Sequence, residues 1–390
     1  MIPAAANAPT AAERVFNSII CGHLVSSTAA DADSTAEYDS SVFAAVTITP
    51  TSAERGPSRY VIENQLPLAD QTHEVVKVPN SNVVLISQMS NSMLVKAEVD
   101  DSGAVQQFEA FQMGQNTSAL HGLANSQVFP GKVWLTLQKD NKLVLIDPKV
   151  DSIQGVPEVL KEISVPAPGN GPHYIGEYGD ELWVSLQDSS DVLRINHAMP
   201  SNYSIYHGLP RPIFVAQHPI NKMFYTGEDN SASIMKIEPR TGKVTQITIP
   251  AEAGQTPVGM ISGPQGIWFT LLGDKTHGTG TIGHIDSNDK ITYHKLQSPL
   301  GMNAALLHLA FDLDASNNYT LWLLSSSIIN DDALDMVIKV TFDAQWQTIQ
   351  SEDILVMPTQ NSKAHRILLT PTNLFATELS SSKLLSYFKK

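Results

Sequence analysis

The sequence predicts an all-β chain folded as one seven-bladed β-propeller of four-stranded blades. Three observations predict it. One short pattern recurs seven times, each recurrence reads as strands separated by turns, and the last recurrence is one strand short. The stretch "HYIGEYGDELWVSLQDSSDVLRI", which begins at His173, has counterparts beginning at His73, His121, Ile213, Val258, His308 and His365. In chain order the starts are separated by 48, 52, 40, 45, 50 and 57 residues, the period of propeller blades.

Each unit has the same internal order. A short apolar strand leads into a turn carrying Pro, Gly, Asn or Asp. A second strand is centred on a large residue: Leu85, Trp134, Trp183, Phe224, Trp268, Trp322 or Phe375. A third, alternating strand follows, as in "LVLID", "VLRIN", "IMKIE" and "IGHID". A fourth is visible in "VQQFEAF", "VTQITIP" and "ITYHKL". No window keeps a helical period for three turns. The final unit stops after its third strand, "KLLSYFKK", and "SRYVIENQLP" ahead of the first unit is expected to complete it. Closing the ring in this way removes an open sheet edge. Residues 1–55, rich in Ala, Ser and Thr, read as a mostly irregular N-terminal arm with a short helix near "AAERVFNSIICGHLV"; residues 56–390 read as the propeller.

Composition narrows the partners. The chain is 42% hydrophobic and only 16% charged, and 39 acidic against 25 basic residues give a net charge of −14. No Lys/Arg run is available to neutralise phosphates, so neither nucleic acid nor an anionic membrane is an expected partner. The single cysteine, Cys21, excludes an internal disulfide and reads as a small buried residue. No apolar run is long enough to span a bilayer. The start, "MIPAAANAPTAAERVF", lacks the layout of a signal peptide and reads as a chain beginning after a small-residue cleavage site, with Met1 added. Sequons at Asn116, Asn202 and Asn318 are compatible with a secreted glycoprotein, and a cytoplasmic protein is the other expectation. The polar surface favours a monomer.

The chemistry is expected in the central channel. First strands line it, so the first residue of each first strand and the end of each second strand lie near one mouth. Five of the seven opening positions are His (His73, His121, His173, His308 and His365), against Ile213 and Val258 in the other two. The chain has 12 His in all, so five at one phase of the repeat points to a pocket. The alternative is that His bridges polar turns in each repeat, a duty inherited by duplication. His197, His207, His218, His277, His284 and His294 fall in outer strands or turns, and His23 in the arm. The Trp residues read as blade-to-blade packing, with Trp268 also counted among the substrate contacts.

At these residues the chain resembles the streptogramin B (virginiamycin B) lyases. The carriers are "GPHYIGEYGDELWVSLQDSSDVLRI" and "TPVGMISGPQGIWFTLLGDKTHGTGTIGHID", and the resemblance spans roughly residues 60 to 390. It implies β-elimination on a cyclic depsipeptide with channel His residues, a Glu and Mg²⁺. On the matching positions it implies His308 in one blade, with His365 and Glu378 of "LFATEL" in the next. The other blades carry Gln88, Leu137, Leu186, Gly227, Leu271 and Ser325 at the Glu position.

In overall look the chain is also similar to the hetero-Diels–Alderases of fungal tropolone-sesquiterpenoid pathways, which join a tropolone quinone methide to a terpene. This second resemblance implies a cyclase needing neither metal nor other cofactor. It implies His73, His121 and His173 on the tropolone oxygens, assisted by Gln88, Gln138 and Gln187, with Tyr174 and Phe214 against the terpene. A cycloaddition needs partners held in near-attack geometry and hydrogen bonds that polarise one of them. The sequence thus leaves three readings: a metal-free natural-product cyclase, a Mg²⁺-dependent lyase, and a non-catalytic binding propeller. A calcium-dependent lactonase ranks last, because the channel lacks a set of Asp, Asn and Glu.

Overall fold

The computed structural model describes residues 61–208, 210–229, 231–312 and 319–389. The N-terminal arm with its expected helix, Cys21 and the sequon at Asn318 lie outside these residues. The strand β1 (Val61–Gln65) comes first and belongs to the last blade. Blade one holds β2 (Thr72–Lys77), β3 (Val83–Gln88), β4 (Met93–Val99) and β5 (Val105–Gln112). Blade two holds β6 (Leu120–Asn125), β7 (Val133–Leu137), β8 (Lys142–Asp147) and β9 (Glu158–Ser164). Blade three holds β10 (Pro172–Tyr178), β11 (Glu181–Leu186), β12 (Asp191–Asn196) and β13 (Tyr203–His207). Blade four holds β14 (Pro212–Gln217), β15 (Phe224–Glu228), β16 (Ser233–Ile237) and β17 (Val244–Thr248). Blade five holds β18 (Pro257–Gly263), β19 (Gly266–Leu271), β20 (Thr281–Ile285) and β21 (Ile291–Lys295). Blade six holds β22 (Leu306–Asp312), β23 (Thr320–Ser325), β24 (Met336–Phe342) and β25 (Ile349–Val356). Blade seven holds β26 (Ala364–Leu369), β27 (Asn373–Glu378) and β28 (Lys383–Phe388), and is completed by β1. All strands pair antiparallel. The expected closure is present: β1 lies against β28 in a register running from Val61 opposite Tyr387 to Gln65 opposite Lys383.

Burial follows position in the blade. Second strands such as "VWLTL" and "GIWFTL" are buried at every residue, because a neighbouring blade covers each face. Outer strands such as "VQQFEAFQ" are mostly exposed and carry the polar residues. The core therefore lies in seven wedges, one at each blade-to-blade seam. At the seam of blades three and four, Trp183 stacks on Phe224 with ring centroids 3.5 Å apart. At that of blades five and six, Trp268 packs with Leu306, Leu321 and Ile338. No helix among the described residues is long and apolar enough to cross a membrane.

A hydroxyl relay ties neighbouring first strands at four of the seven seams. In all seven blades the register shifts at the start of the first strand, and in blades one, two, three, five and seven this leaves a backbone N–H without a ladder partner. The next-to-last residue of the second strand takes it up. Glu74 N–H donates to Ser87 Oγ, Gly122 N–H to Thr136 Oγ1, Tyr174 N–H to Ser185 Oγ, Gly259 N–H to Thr270 Oγ1 and Arg366 N–H to Thr377 Oγ1. Four of these hydroxyls then donate into the next blade. Ser87 binds the carbonyl of His121, Thr136 that of His173, Ser185 that of Ile213 and Thr377 that of His73, at 2.6–3.1 Å.

Two blades depart from the expected frame by one residue. In blade six the hydroxyl position is Leu324, and the register shifts between Leu306 and His308, with Leu306 opposite Ser325 and His308 opposite Leu324. Leu307 therefore occupies the place of His73, and His308 sits one residue further on. In blade four Val215 pairs with Thr226 and Pro212 with Glu228. The strand centre is thus Tyr225 rather than Phe224, and Glu228 rather than Gly227 stands at the position of Glu378. Two adjacent aromatics made either frame plausible from sequence.

Replacing Thr377 by Val strands the Arg366 N–H and the His73 carbonyl in a buried seam. The expected cost is about 1–3 kcal/mol, read as a lowered denaturation midpoint. The same change at exposed Thr245 should move it by less than about 0.5 kcal/mol.

Candidate functional site

The relay sets two tiers of side chains along the channel. In the first tier, in blade order, stand His73, His121, His173, Ile213, Val258, Leu307 and His365. Blades seven, one, two and three therefore contribute a continuous arc of four imidazoles, and blades four, five and six an apolar arc. In the second tier, one residue on, stand Glu74, Gly122, Tyr174, Phe214, Gly259, His308 and Arg366. The two glycines are required by close approach, since a Cβ would lie 2.5 Å from the His173 carbonyl oxygen at Gly122 and 2.6 Å from that of Leu307 at Gly259.

The imidazoles touch one another. His73 Nε2 lies 2.7 Å from His121 Nε2 and 2.7 Å from His365 Nε2. The His121 and His173 ring centroids are 3.8 Å apart. His121 Nδ1 is 2.9 Å from Gln138 Oε1, and Gln138 Nε2 donates in turn to Gln187 Oε1. Gln138 and Gln187 thus support the arc from behind. Gln88 is turned away and donates to the Pro67 carbonyl and to Thr72 Oγ1. Nδ1 of His73, His173 and His365 has no hydrogen-bond partner.

The second tier fills the space beside the arc. Arg366 pairs with Glu74 at 3.1 Å, donates to the His365 carbonyl and lies 4.5 Å over the Phe214 ring. Phe214 also packs against Tyr174 and His308, at 5.4 and 5.3 Å. His308 Nδ1 accepts the Ile367 N–H, so its own proton is on Nε2. Sequence reading missed Arg366 and Glu74. The only signal was their position directly after His365 and His73, one step along the same channel-lining strands.

Electrostatics keep the arc neutral. Burial, reinforced by the neighbouring imidazoles and by Arg366, holds His73 and His173 well below the ordinary histidine range, and His308 and His365 likewise. Burial drives His121 down to about 3, against the raising effect of Gln138. Neutral imidazole can donate one hydrogen bond and accept another, and can take or give a proton.

The imidazole arc is closed off from solvent. His73, His121, His173 and His365 are each 3% exposed or less. Leu272, Ile328 and Leu379, from loops beyond the second strands, share one apolar cluster with Ile213, Val258 and Leu307. Trp268 is not brought to the channel; it lies in the blade-five seam, stacked on His284 with centroids 4.4 Å apart. Glu378 is buried, and its Oε2 accepts the Ser381 hydroxyl at 2.5 Å. Among the described residues, the set of three or more potential ligands whose donor atoms lie within 4.8 Å of one another is His73, His121 and His173; His308, His365 and Glu378 do not form one. A surface pocket of about 630 Å³ lies at the other end of the blades, lined by Tyr178, Glu181, Arg194, Gln217, Phe224 and Arg240.

No protein-family model and no curated protein matches the sequence. Solved structures do match. A catalytically inactive virginiamycin B lyase from Staphylococcus aureus with quinupristin is 18% identical, with a TM-score of 0.65 over 85% of this chain and 99% of that one. A streptogramin B lyase is 20% identical, with a TM-score of 0.63 over 84% and 96%. Hydrazine synthase of Kuenenia stuttgartiensis is 14% identical, with a TM-score of 0.62 over 84% and 97%. At these identities the likeness is one of fold: this chain shares the β-propeller architecture of these structures, with seven four-stranded blades.

Two buried carboxyls set a pH dependence. Burial raises Glu228 and Glu378 from the ordinary 4.5 to about 7, each partly offset by a serine three residues on. The folded chain holds these protons more tightly than the unfolded one. Their penalty is therefore absent below about pH 4.5 and complete above about pH 7. Stability should fall as pH rises through that window, by roughly 2–3 kcal/mol per carboxyl. Urea midpoints for Glu228→Gln should show a visibly smaller fall than wild type; an identical fall would remove Glu228 as a source.

Proposed function

We propose that this chain is a small-molecule enzyme of natural-product metabolism that works at the imidazole arc, specifically an intermolecular hetero-Diels–Alder cyclase joining a tropolone quinone methide to a terpene. The observation that carries this reading is the division of one channel tier into four neutral imidazoles and three aliphatic side chains. Such a tier holds a partner with polarisable oxygens on one side and a hydrocarbon partner on the other. His173, beside the arc's apolar border, would hydrogen-bond the oxygen of the electron-poor partner. His121, oriented by Gln138, would assist, while Ile213, Val258 and Phe214 would seat the terpene. Holding two partners in near-attack geometry supplies much of the acceleration, and a hydrogen bond aimed at developing charge supplies more. A neutral His could also act as acid or base in dehydration to the reactive diene. Because the arc is buried, substrate entry requires side chains around it to move aside.

The likeness in fold to the virginiamycin B lyases supports a second reading, β-elimination through His308, His365 and Glu378. Mg²⁺ prefers oxygen ligands, commonly one or two carboxylates. Here the Glu378 carboxyl is held by Ser381 and gathered into no ligand set with the two His. These residues do not fit the ion.

Turnover of a tropolone quinone methide precursor with a humulene-type terpene separates the readings. His173→Ala should slow cycloaddition roughly five- to hundredfold, the loss of one hydrogen bond of about 1–3 kcal/mol. Glu378→Gln should leave the rate within about twofold. A cycloaddition abolished by Glu378→Gln, or untouched by His173→Ala, would overturn these roles. Tight binding of both partners without turnover would favour a binding propeller.

A further inference from the structure

We propose that His73, His121 and His173 form a binding site for one divalent d-block cation, of the zinc, cobalt, nickel or copper type. The inference goes beyond the reaction proposed above and stands on the arrangement of the three rings alone. Their donor nitrogens lie within 4.8 Å of one another, and the residues are 1, 1 and 2% exposed.

The hydrogen-bond pattern leaves nitrogens that protons alone do not satisfy. Gln138 Oε1 can only accept, so the His121 Nδ1 facing it at 2.9 Å carries the proton. That fixes His121 Nε2 as a bare lone pair aimed at His73. His73 Nε2 in turn meets two nitrogens, those of His121 and His365, each at 2.7 Å. A neutral imidazole nitrogen offers one in-plane direction, holding either a proton or a lone pair, and cannot bond both neighbours well. Nδ1 of His73 and of His173 has no partner either. A cation placed among the three rings takes up the lone pairs together. Zinc–nitrogen bonds run about 2.0–2.1 Å, so tetrahedral ligand nitrogens stand roughly 3.3 Å apart. Between His73 and His121, reaching that spacing needs only a small opening of their 2.7 Å contact. The Gln138 acceptor behind His121 is the outer partner that metal-bound imidazoles characteristically have.

Donor type selects the ion. Three imidazoles without a carboxylate suit zinc, copper or nickel and disfavour Mg²⁺ and Ca²⁺. The buried charges beside the arc, Arg366 and Glu74, pair with each other and leave the charge of the ion uncompensated. The remaining coordination position would therefore favour water, hydroxide or an anionic oxygen such as an enolate or phenolate. Ile213, Val258 and Leu307 form the other side of that space.

The test uses the full chain, stripped by a chelator and dialysed, then titrated with Co²⁺, Zn²⁺ and Mg²⁺. The expected result is one Co²⁺ per chain with visible d–d absorption, displaced by equimolar Zn²⁺ but not by Mg²⁺. His121→Ala and His173→Ala should each weaken Co²⁺ binding at least tenfold, while His207→Ala and His277→Ala, at exposed positions, should not. Gln138→Leu keeps all three rings and should weaken it roughly ten- to hundredfold. That variant also serves if the histidine variants fold poorly. A stripped wild-type chain that keeps its melting temperature yet binds neither Co²⁺ nor Zn²⁺ would overturn the proposal. So would Co²⁺ absorption unchanged in folded His121→Ala. Turnover is not read, so this outcome and the fate of the cyclase reading are independent.

Discussion

The hydroxyl between neighbouring first strands is the contact on which the rest depends. A bulge at the start of a strand leaves one N–H facing a dry seam, where an unpaired donor costs about 1–3 kcal/mol. Ser87, Thr136, Ser185, Thr270 and Thr377 satisfy it, and four of them pass their own proton to the carbonyl of the next blade's first-tier residue. The same bond that relieves the bulge fixes where the following side chain enters the channel. His121, His173 and His73 are each held at the backbone in this way. Fold and site are therefore one construction, and His73 and His121 meet at hydrogen-bond distance with both their carbonyls pinned.

The channel is divided, and the division follows the blades. Four consecutive blades contribute imidazoles and the other three Ile213, Val258 and Leu307. One residue along lie the Arg366–Glu74 pair and Phe214, while Leu272, Ile328 and Leu379 share the apolar cluster of Ile213, Val258 and Leu307. Dry surroundings keep the rings neutral, and that neutrality makes them useful both as hydrogen-bond donors and as nitrogen ligands. One arrangement thus supports the proposed substrate contacts and the proposed cation site.

Much of this was legible in the sequence. Blade number, strand number and ring closure follow from periodicity and from the strand missing after "KLLSYFKK", because both reflect the repeated burial of second strands. Four of the five first-tier His were in frame. His308 was not, because the frame depends on where the first strand bulges, and in blade six the register shift between Leu306 and His308 puts Leu307 in the first tier. Blade six carries Leu324, and blade four Gly227, where the other five blades carry Ser or Thr. Blade four slipped for another reason: Phe224 and Tyr225 are adjacent, and both are buried. Arg366, Glu74 and the burial of the arc were illegible, since they arise from contacts between distant blades and loops that no local pattern encodes.

Convergence of buried, neutral imidazoles on one point is the central claim, and the most direct measurement is a long-range proton–nitrogen correlation spectrum of the chelator-stripped, ¹⁵N-histidine-labelled protein. Convergence predicts His121 as the Nδ1–H tautomer, assigned by its loss in His121→Gln, with a slowly exchanging ring proton. A His121 ring that exchanges its proton freely with water, or that carries it on Nε2, would contradict the arrangement.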